Sequence, residues 1–395
     1  MSLTVISTHP IQYQAPIYRA LQAECGIPVN AIYGSDFSIT GYRDREFGTD
    51  FAWDTDLLSG YDSVFLSRTS SGGANDPEKV TSRGLGETLR QLAPKALLIT
   101  GYNTRFHRAA LYEAWRGGYP VIFRGETTDH AKERNFAQSW IRDQILRRVY
   151  KGCSKLLYVG QNSYKHFKRL GCPDGKLIFS PYCVDKGLFN LDDGAHIKIR
   201  SEMRRAFNVS EDQLILLFSG KLSHRKGPDL LLEAVKKLPP ETHGRILTLF
   251  LGDGEMRACL EKIAKNKPAT KAIFVGFKNQ TEIGAYYHAA DLLILPSRHS
   301  ETWGLVVNEA LHHGLPCVVS EAVGSVPDLI EPNVTGLIFK NGSVSDLTAA
   351  IENGLKLTID PKTRQRCMTK IGDYTVNKAA EGIAKAYNLI KSKYS

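Results

Sequence analysis

Short apolar segments alternate with amphipathic segments through most of the chain. A continuous apolar run predicts a strand that is buried on both faces, and apolar residues that recur every three or four positions predict a helix. Because the two kinds of segment alternate, the pattern predicts an α/β protein with parallel, doubly wound sheets. The predicted strands are Leu3–Ser7, Val29–Tyr33, Ala96–Thr100, Val121–Arg124, Leu156–Val159, Leu214–Ser219, Leu247–Leu251, Ile273–Val275, Leu292–Leu295 and Cys317–Val319.

Two stretches lack this periodicity. Residues 34–83 are rich in Asp, Gly and aromatic residues, which predicts an inserted, loop-rich segment. Its aromatic rings either line an acceptor groove or pack locally. Residues 190–212 are polar and charged, and we expect them to lead from one domain into the next.

The length and composition limit the class of protein. A chain of 395 residues predicts two domains, and 42% apolar with 23% charged residues is typical of globular proteins. No run of 18 apolar residues and no secretory signal is visible, and the seven cysteines form no Cys-x-x-Cys pair, so we expect a reducing cytoplasm.

The net charge of +10 favours anionic partners. Nucleic acid is not expected, because no basic stripe is interleaved with aromatic residues. The segment Phe136–Tyr150 is amphipathic and basic. It is interpreted either as a peripheral contact with anionic lipid at the inner face of a membrane or as a solvated helix face.

The most informative stretch is 292–320, in which a strand, a polar loop, a short helix and a second strand follow one another. In open α/β sheets, ligands bind beyond the carboxyl ends of the strands, where this loop lies. Gly304 precedes the helix, whose first amides form a ready anion site. Glu301 and Glu309 bracket those amides, and a carboxylate accepts two hydrogen bonds from a vicinal diol. This combination indicates a nucleotide-sugar site.

A second loop, GKLSHRKG, follows the strand Leu214–Ser219. Gly220 permits close approach, and Lys221 and Lys226 place two cations at the end of the strand. A diphosphate leaving group needs such cations, because charge builds up on its oxygens as it departs.

The pattern Glu301, seven residues, Glu309, then Ala-Leu-x-x-Gly-x-Pro resembles the signature of the retaining GT-B glycosyltransferases of family 4. The two-lysine loop and the Gly252-x-Gly turn resemble that family as well. The resemblance implies two Rossmann-like doubly wound domains that face a cleft. We expect an N-terminal acceptor-side domain over 1–183, a nucleotide-sugar domain over 184–376, and a terminal helix over 377–395 that returns to the first domain.

The resemblance also implies a role for each site residue. Glu309 would hold the ribose diol, while Glu301 and the amides of Trp303, Gly304 and Leu305 would hold the sugar and the distal phosphate. Lys221 and Lys226 would stabilise the departing diphosphate. Further donor contacts are implied at Gly220, Arg225, Gly252 and Phe277, with His224 beside them. No Asp-x-Asp motif suits the site, so neither a metal nor another cofactor is expected.

The first domain matches the family only in outline. His9, Gln12 and Tyr13 stand in the loop where many members carry a Gly-Gly pair. His130 is our candidate for a catalytic cleft histidine after the strand Val121–Arg124, and Glu126 is the other candidate there. Both lie where parallel sheets place chemistry.

The implied reaction is retaining, metal-independent transfer of a sugar from a nucleoside diphosphate sugar to a hydroxyl of a glycan, a lipid-linked glycan or a small molecule. A covalent route through Glu301 stays open. A sugar-nucleotide epimerase with this fold would transfer nothing and would need an extra pair of acids near the second carbon of the sugar. A non-catalytic binding protein would keep Glu309 and lose the cations.

Overall fold

Two parallel sheets organise the chain in the computed structural model, which describes residues 2–43, 50–129, 134–188, 193–265 and 271–392. The first sheet has seven strands in the order β5-β2-β1-β6-β7-β8-β9. They are β1 Leu3–Ser7, β2 Val29–Tyr33, β5 Asp62–Phe65, β6 Ala96–Ile99, β7 Val121–Gly125, β8 Lys155–Tyr158 and β9 Leu177–Phe179. A short antiparallel pair, β3 Tyr42–Arg43 and β4 Asp50–Phe51, lies outside this sheet.

The second sheet has six parallel strands in the order β12-β11-β10-β13-β14-β15. They are β10 Leu214–Ser219, β11 Ile246–Leu251, β12 Lys271–Gly276, β13 Leu292–Leu295, β14 Cys317–Ser320 and β15 Gly336–Phe339. In each sheet the strand order reverses once, between β1 and β6 and between β10 and β13. Crevices for ligands form at such reversal points, beyond the carboxyl ends of the strands.

Helices cover both faces of each sheet, so each sheet has an apolar cluster on either side. The helices before the second sheet are α1 Ala15–Ala23, α2 Phe37–Thr40, α3 Leu85–Leu92, α4 Arg105–Arg116, α5 Phe136–Gly152, α6 Gln161–Arg169 and α7 Asp193–Ala206. Those that follow are α8 Pro228–Lys236, α9 Pro240–His243, α10 Arg257–Lys265, α11 Gln280–Ala289, α12 Leu305–His312, α13 Val326–Leu329, α14 Val344–Leu357, α15 Thr363–Lys370 and α16 Val376–Lys391.

The terminal helix α16 packs against α1, which connects the strands β1 and β2 of the first sheet. Its buried residues Ile383, Tyr387 and Ile390 share one apolar cluster with Ile17 and Leu21 of α1. The last helix of the chain therefore packs on the first domain. Among the described residues, no helix combines the length and the apolarity needed to cross a membrane.

Several elements were missed in the sequence, among them the strands β9 and β15, and β5 and α7 show the physical reason. The loop-rich interpretation of 34–83 was wrong at β5, which pairs in parallel with β2 at the edge of the first sheet. The sequence Asp62-Ser-Val-Phe gave no apolar run because this edge strand is only half covered. The stretch 190–212 contains α7, whose Arg200 and Arg204 both bond to Asp291 beside β13. Its inward face is held by charge pairs, so apolar periodicity could not reveal it.

Candidate functional site

A cavity of about 370 Å³ lies between the two sheets, at the points where their strand orders reverse. Its walls include eleven of the twelve site residues predicted from the sequence: Gly220, Lys221, Arg225, Lys226, Gly252, Phe277, Glu301, Trp303, Gly304, Leu305 and Glu309. The twelfth, His130, lies outside the described residues. The first domain contributes Gln12, Tyr13, Trp53, Glu126 and Tyr182 to the same cavity. The predicted donor residues therefore converge on one space that both domains enclose.

The centre of the cavity is an ion pair between Glu301 and Lys226. The Lys226 ammonium donates to the Glu301 carboxylate, and both side chains are largely buried. Arg225 Nη1 lies 3.6 Å from the same carboxylate oxygen, and Ser297 donates to it at 3.1 Å. Glu301 thus holds two cations of the preceding loop in place, a function that spacing alone did not predict.

A second ion pair fixes the two site loops against each other. Arg298 donates to both carboxylate oxygens of Asp229, at 2.8 and 2.6 Å, and such a bidentate pair sets orientation as well as distance. The Arg298 amide also donates to the Arg225 carbonyl at 2.8 Å. The loop after β10 and the loop after β13 are therefore one rigid unit that presents its cations to the cavity.

Two glycines allow the main chain to line the cavity closely. Gly304 has φ +92°, and a Cβ there would lie 2.9 Å from Val323 Cγ1. Gly252 has φ +135°, and a Cβ there would lie 2.0 Å from the Gly220 carbonyl oxygen. Both positions favour glycine because the left-handed region and the lack of space exclude larger residues. Gly304 leads directly into α12, whose first amides precede the intrahelical hydrogen-bond ladder and suit an anion.

Glu309 lies in the second turn of α12, after those amides, and is 7% exposed. The Tyr287 hydroxyl donates to its carboxylate at 2.5 Å. Burial raises the pKa of Glu309 from its ordinary value of 4.5 to about 7, although the Tyr287 hydrogen bond and the Lys226 charge oppose that rise. The Glu309 carboxyl group is thus held by the hydrogen bond from Tyr287, and it also lines the cavity in which a ligand can bind. Tyr287 was missed because it lies in α11, far from the motif in sequence.

Trp303 lines the cavity where the two domains meet. The residue is 4% exposed, its indole donates to Asn308 Oδ1 at 2.8 Å, and the ring packs beside Tyr182 and Tyr374. Asn308 in turn donates to the Tyr182 carbonyl of the first domain at 3.2 Å. The Trp303 side chain therefore braces the two domains.

On the first-domain side, Glu126 is the carboxylate that meets the donor loops. It accepts a hydrogen bond from Thr302 at 3.0 Å, and burial raises its pKa, with the nearby charge of Glu301 acting in the same direction. His9 is not among the residues of the cavity wall; it contacts Thr8 and Phe37 instead. His224 is exposed, so Arg225 is the neighbour of the lysines that reaches the cavity.

Asp328 joins the domains beside the cavity. Its carboxylate accepts from the Gln161 amide at 2.9 and 3.1 Å and from the Tyr374 hydroxyl at 2.9 Å. Asn162 adds a bond to the Gly324 carbonyl at 3.0 Å. Sequence reasoning missed Asp328, since neither Gln161 nor Tyr374 is near it in the chain.

We expect Asp328→Ala to lower the free energy of unfolding by about 1–3 kcal/mol, because the Gln161 main-chain amide and the Tyr374 hydroxyl lose their acceptor. Urea unfolding followed by circular dichroism measures this change. Glu352→Ala, which removes an exposed carboxylate on α14, is the control and should change stability little. Equal effects of the two substitutions would show that the Asp328 contacts do not stabilise the fold.

The described residues hold no cluster of three or more His, Cys, Asp or Glu side chains placed to bind a metal ion. The cations of the cavity wall are Lys221, Arg225, Lys226 and Lys278, of which Lys278 is paired with Glu282. The three cations of the loop after β10, together with a helix start, are well matched to a diphosphate.

Comparison with known proteins places this site in a family. The model of the glycosyl transferases group 1 family matches residues 199–371. Residues 199–371 are a group 1 glycosyltransferase domain. This domain contains both glutamates and both lysines of the cavity, so the family resemblance of the site motifs is confirmed.

Two curated relatives resemble the same part of the chain. An uncharacterized glycosyltransferase, MJ1607, of Methanocaldococcus jannaschii is 35% identical over 135 residues, which are 34% of each chain. A D-inositol 3-phosphate glycosyltransferase of Actinosynnema mirum is 31% identical over 199 residues, 48% of this chain and 45% of that protein. The alignments therefore span less than half the length of these relatives.

The solved structure of Anabaena Alr3699/HepE in complex with UDP has a TM-score of 0.71 to this chain. The superposition covers 98% of this chain and all of the other, at 17% identity. This likeness establishes the two-domain GT-B fold for the glycosyltransferase domain together with the domain that precedes it.

Proposed function

We propose that the protein is a retaining glycosyltransferase that moves a sugar from a nucleoside diphosphate sugar to a hydroxyl acceptor without a metal ion. The observation that carries this proposal is the convergence of Lys221, Lys226, Glu301 and Glu309 on one cavity between the domains. The resemblance of the motifs to the retaining family supports the stereochemistry. The cation set supports metal independence, since it supplies positive charge where the leaving group needs it.

In the proposed complex, the donor spans the cavity from Glu309 to Glu301. Glu309 accepts hydrogen bonds from the ribose hydroxyls, and the amides that begin α12 meet the distal phosphate. Lys226 and Arg225, both beside Glu301, lie where charge develops on the departing diphosphate. Because Glu301 orients these cations before the reaction, little reorganisation is needed when the bond to the diphosphate breaks.

The proposed transfer proceeds on one face of the sugar. The bond from the anomeric carbon to the diphosphate oxygen breaks, the acceptor oxygen bonds to that carbon, and the acceptor proton passes to the leaving phosphate oxygen. The ion pairing of Glu301 with Lys226 and its hydrogen bond from Ser297 lower its nucleophilicity. These contacts favour the front-face route over a covalent intermediate on Glu301.

The proposed place of action is the cytoplasm. All seven cysteines are free thiols, and five of them are buried. Such thiols are typical of proteins in reducing compartments.

Thermal unfolding in the presence of EDTA tests the donor site. UDP, GDP, ADP, dTDP and CMP are added one at a time, and a ligand that binds the folded state raises the melting temperature. We expect one nucleoside diphosphate to give the largest rise. No rise with any of the five would contradict the proposed donor site.

A second experiment distinguishes sugar transfer from epimerisation. Glu126 is one carboxylate of the cavity wall in addition to the two motif glutamates, whereas an epimerase would need an extra pair near the sugar. A nucleoside diphosphate sugar that carries the preferred nucleotide is therefore incubated with the protein without acceptor, and the products are examined by NMR. Release of the free sugar and the nucleoside diphosphate supports the transferase. Accumulation of a nucleoside diphosphate sugar with an inverted carbon would show that the protein is an epimerase instead.

A further inference from the structure

The outward face of α5 carries large apolar side chains that the fold leaves uncovered. Phe136 is 87% exposed, Trp140 58%, Ile141 54% and Ile145 52%. The opposite face of the same helix is buried through Leu146 and Tyr150. An exposed apolar patch of this kind marks an interaction surface.

The adjoining helix α4 carries two further exposed aromatic rings. Tyr112 is 62% exposed and Trp115 44% exposed. A Cβ built at Gly152, the last residue of α5, would lie 3.1 Å from the Trp115 ring, so the two helices are in contact there. We call this surface the α4–α5 face; its members are Tyr112, Trp115, Phe136, Trp140, Ile141 and Ile145.

The charges around the α4–α5 face are positive. Arg147, Arg148 and Lys151 are exposed on α5, and Arg105 and Arg108 are exposed on α4. The acidic residue of α5, Asp143, is turned to the inner side, where it pairs with Arg142 and Arg169. On α4, Glu113 is neutralised by Arg116.

A surface with aromatic rings, aliphatic side chains and a basic border matches the interface of an anionic lipid bilayer. Tryptophan and tyrosine favour the headgroup region, isoleucine and phenylalanine favour the acyl boundary, and arginine meets the lipid phosphates. Nucleic acid would use the rings and the cations but not Ile141 and Ile145. The mixture therefore favours a membrane.

The α4–α5 face is tied to the acceptor side of the site. Arg142 of α5 donates to the Thr128 carbonyl at 3.3 Å and to Asp129 at 3.2 Å. Thr128 lines a second cavity of about 220 Å³ that also reaches Glu301, with Asn162 and residues 321–324, 326 and 327 forming other walls. This cavity connects Glu301 with Thr128, whose carbonyl accepts the hydrogen bond from Arg142 of α5.

We propose that the α4–α5 face docks on an anionic lipid bilayer and that the acceptor hydroxyl belongs to an amphiphile held in that bilayer. The docking is independent of the proposed function, whereas the assignment of the acceptor rests on it. The amphiphile's headgroup reaches the cavity lined by Thr128 and Glu301 while its tail stays in the membrane. Docking thus brings the headgroup of the acceptor to Glu301, which also lines the cavity of the donor.

Co-sedimentation of the full chain with vesicles tests the docking. The vesicles are phosphatidylcholine alone or phosphatidylcholine with about one third phosphatidylglycerol. We expect binding to the anionic vesicles that weakens as salt is raised. Trp140→Ser/Ile145→Ser and Arg147→Glu/Arg148→Glu should each lower the binding constant by about tenfold or more.

Matched controls lie on the second domain. Ile197→Ser/Ile359→Ser removes two apolar side chains that are 61% and 81% exposed, and Lys262→Glu/Lys265→Glu reverses two exposed charges on α10. Both controls should bind vesicles like the parent chain. Equal losses in the control and test variants, or no binding of the parent chain to anionic vesicles, would overturn the proposal.

Two further outcomes would also overturn it. If size-exclusion chromatography shows a dimer that Trp140→Ser/Ile145→Ser dissociates, the α4–α5 face is an interface between copies of this chain. If single-stranded RNA, at an equal concentration of negative charge, displaces the protein from the vesicles and binds it more tightly than the vesicles do, the partner is nucleic acid.

The thermal shift by the preferred nucleoside diphosphate distinguishes this proposal from the donor-site proposal. The docking variants should keep that shift, because none of the substituted residues lines the donor cavity. Loss of vesicle binding with an intact nucleotide shift is the expected result. An intact shift in a parent chain that ignores vesicles contradicts the docking alone, and vesicle binding without any nucleotide shift contradicts the donor site alone.

Discussion

We expect Lys226→Ala to lower turnover by about 10²- to 10³-fold while it changes donor affinity far less. The Lys226 ammonium is paired with Glu301 before the donor arrives, so it is already oriented towards the position of the leaving group. A preorganised charge of this kind acts mainly where charge develops in the transition state, and removing one such group costs turnover by this amount. Steady-state kinetics with the preferred donor, together with calorimetric binding of its nucleotide, separates the two effects.

The matched control for this prediction is Lys262→Ala, which removes an exposed lysine on α10. It should leave both turnover and affinity unchanged. A second comparison uses Glu301→Gln, which frees Lys226 from its ion pair and should lower turnover even though both cations remain. If Lys226→Ala lost affinity and kept turnover, the lysine would be a ground-state binding residue and the mechanistic assignment would be wrong.

We expect Glu309→Gln to weaken nucleoside diphosphate binding by about 10- to 100-fold at pH 8, because the ribose loses hydrogen bonds to a charged acceptor. The pKa of about 7 adds a pH dependence to the parent protein. Below pH 7 the buried carboxyl is protonated and accepts less well, so parent affinity should be about tenfold lower at pH 6 than at pH 8. The affinity of Glu309→Gln should change less over that range, because only the terminal phosphate of the nucleotide, with a second pKa of about 6, still titrates.

The same substitution should have the opposite effect on stability. Burial favours the protonated form of Glu309 in the folded chain, so the parent protein loses stability as the pH rises from about 4.5 to about 7. Glu309→Gln removes that loss, and its melting temperature should exceed that of the parent at pH 8 but not at pH 5.

Tyr287→Phe removes the hydroxyl that donates to Glu309 and should raise the pKa of Glu309 further. As the pH is lowered, nucleotide affinity should therefore begin to decline at a higher pH than in the parent protein. A Glu309→Gln variant that binds nucleotide like the parent would contradict the ribose assignment.

The second domain was predicted more fully than the first for a physical reason. Its strands β10, β11, β13 and β14 are buried on both faces, so each is a continuous apolar run, and β10 and β13 were predicted with their observed bounds. The edge strand β5 has alternate residues exposed, and α7 is held through Arg200 and Arg204, so neither follows an apolar pattern.

The residues predicted from the sequence as donor contacts line one cavity, but the sequence did not predict their contacts with one another. Motif spacing placed Glu301 and Glu309 on either side of the start of α12, as observed. The pairing of Glu301 with Lys226 joins loops 75 positions apart, and the Tyr287 and Asp328 contacts join elements from different parts of the chain. Such contacts depend on the register of the sheets, which one sequence does not encode in any local pattern.

The proposed function requires that this cavity break a sugar–diphosphate bond with retention of the anomeric configuration. Water can replace the acceptor, so time-resolved NMR of donor hydrolysis in the presence of EDTA tests this requirement without knowledge of the acceptor. From an α-linked donor, we expect the α anomer of the free sugar to appear first and Lys226→Ala to slow its release greatly. Appearance of the β anomer first, or release that does not depend on Lys226, would show that the cavity does not carry out retaining transfer.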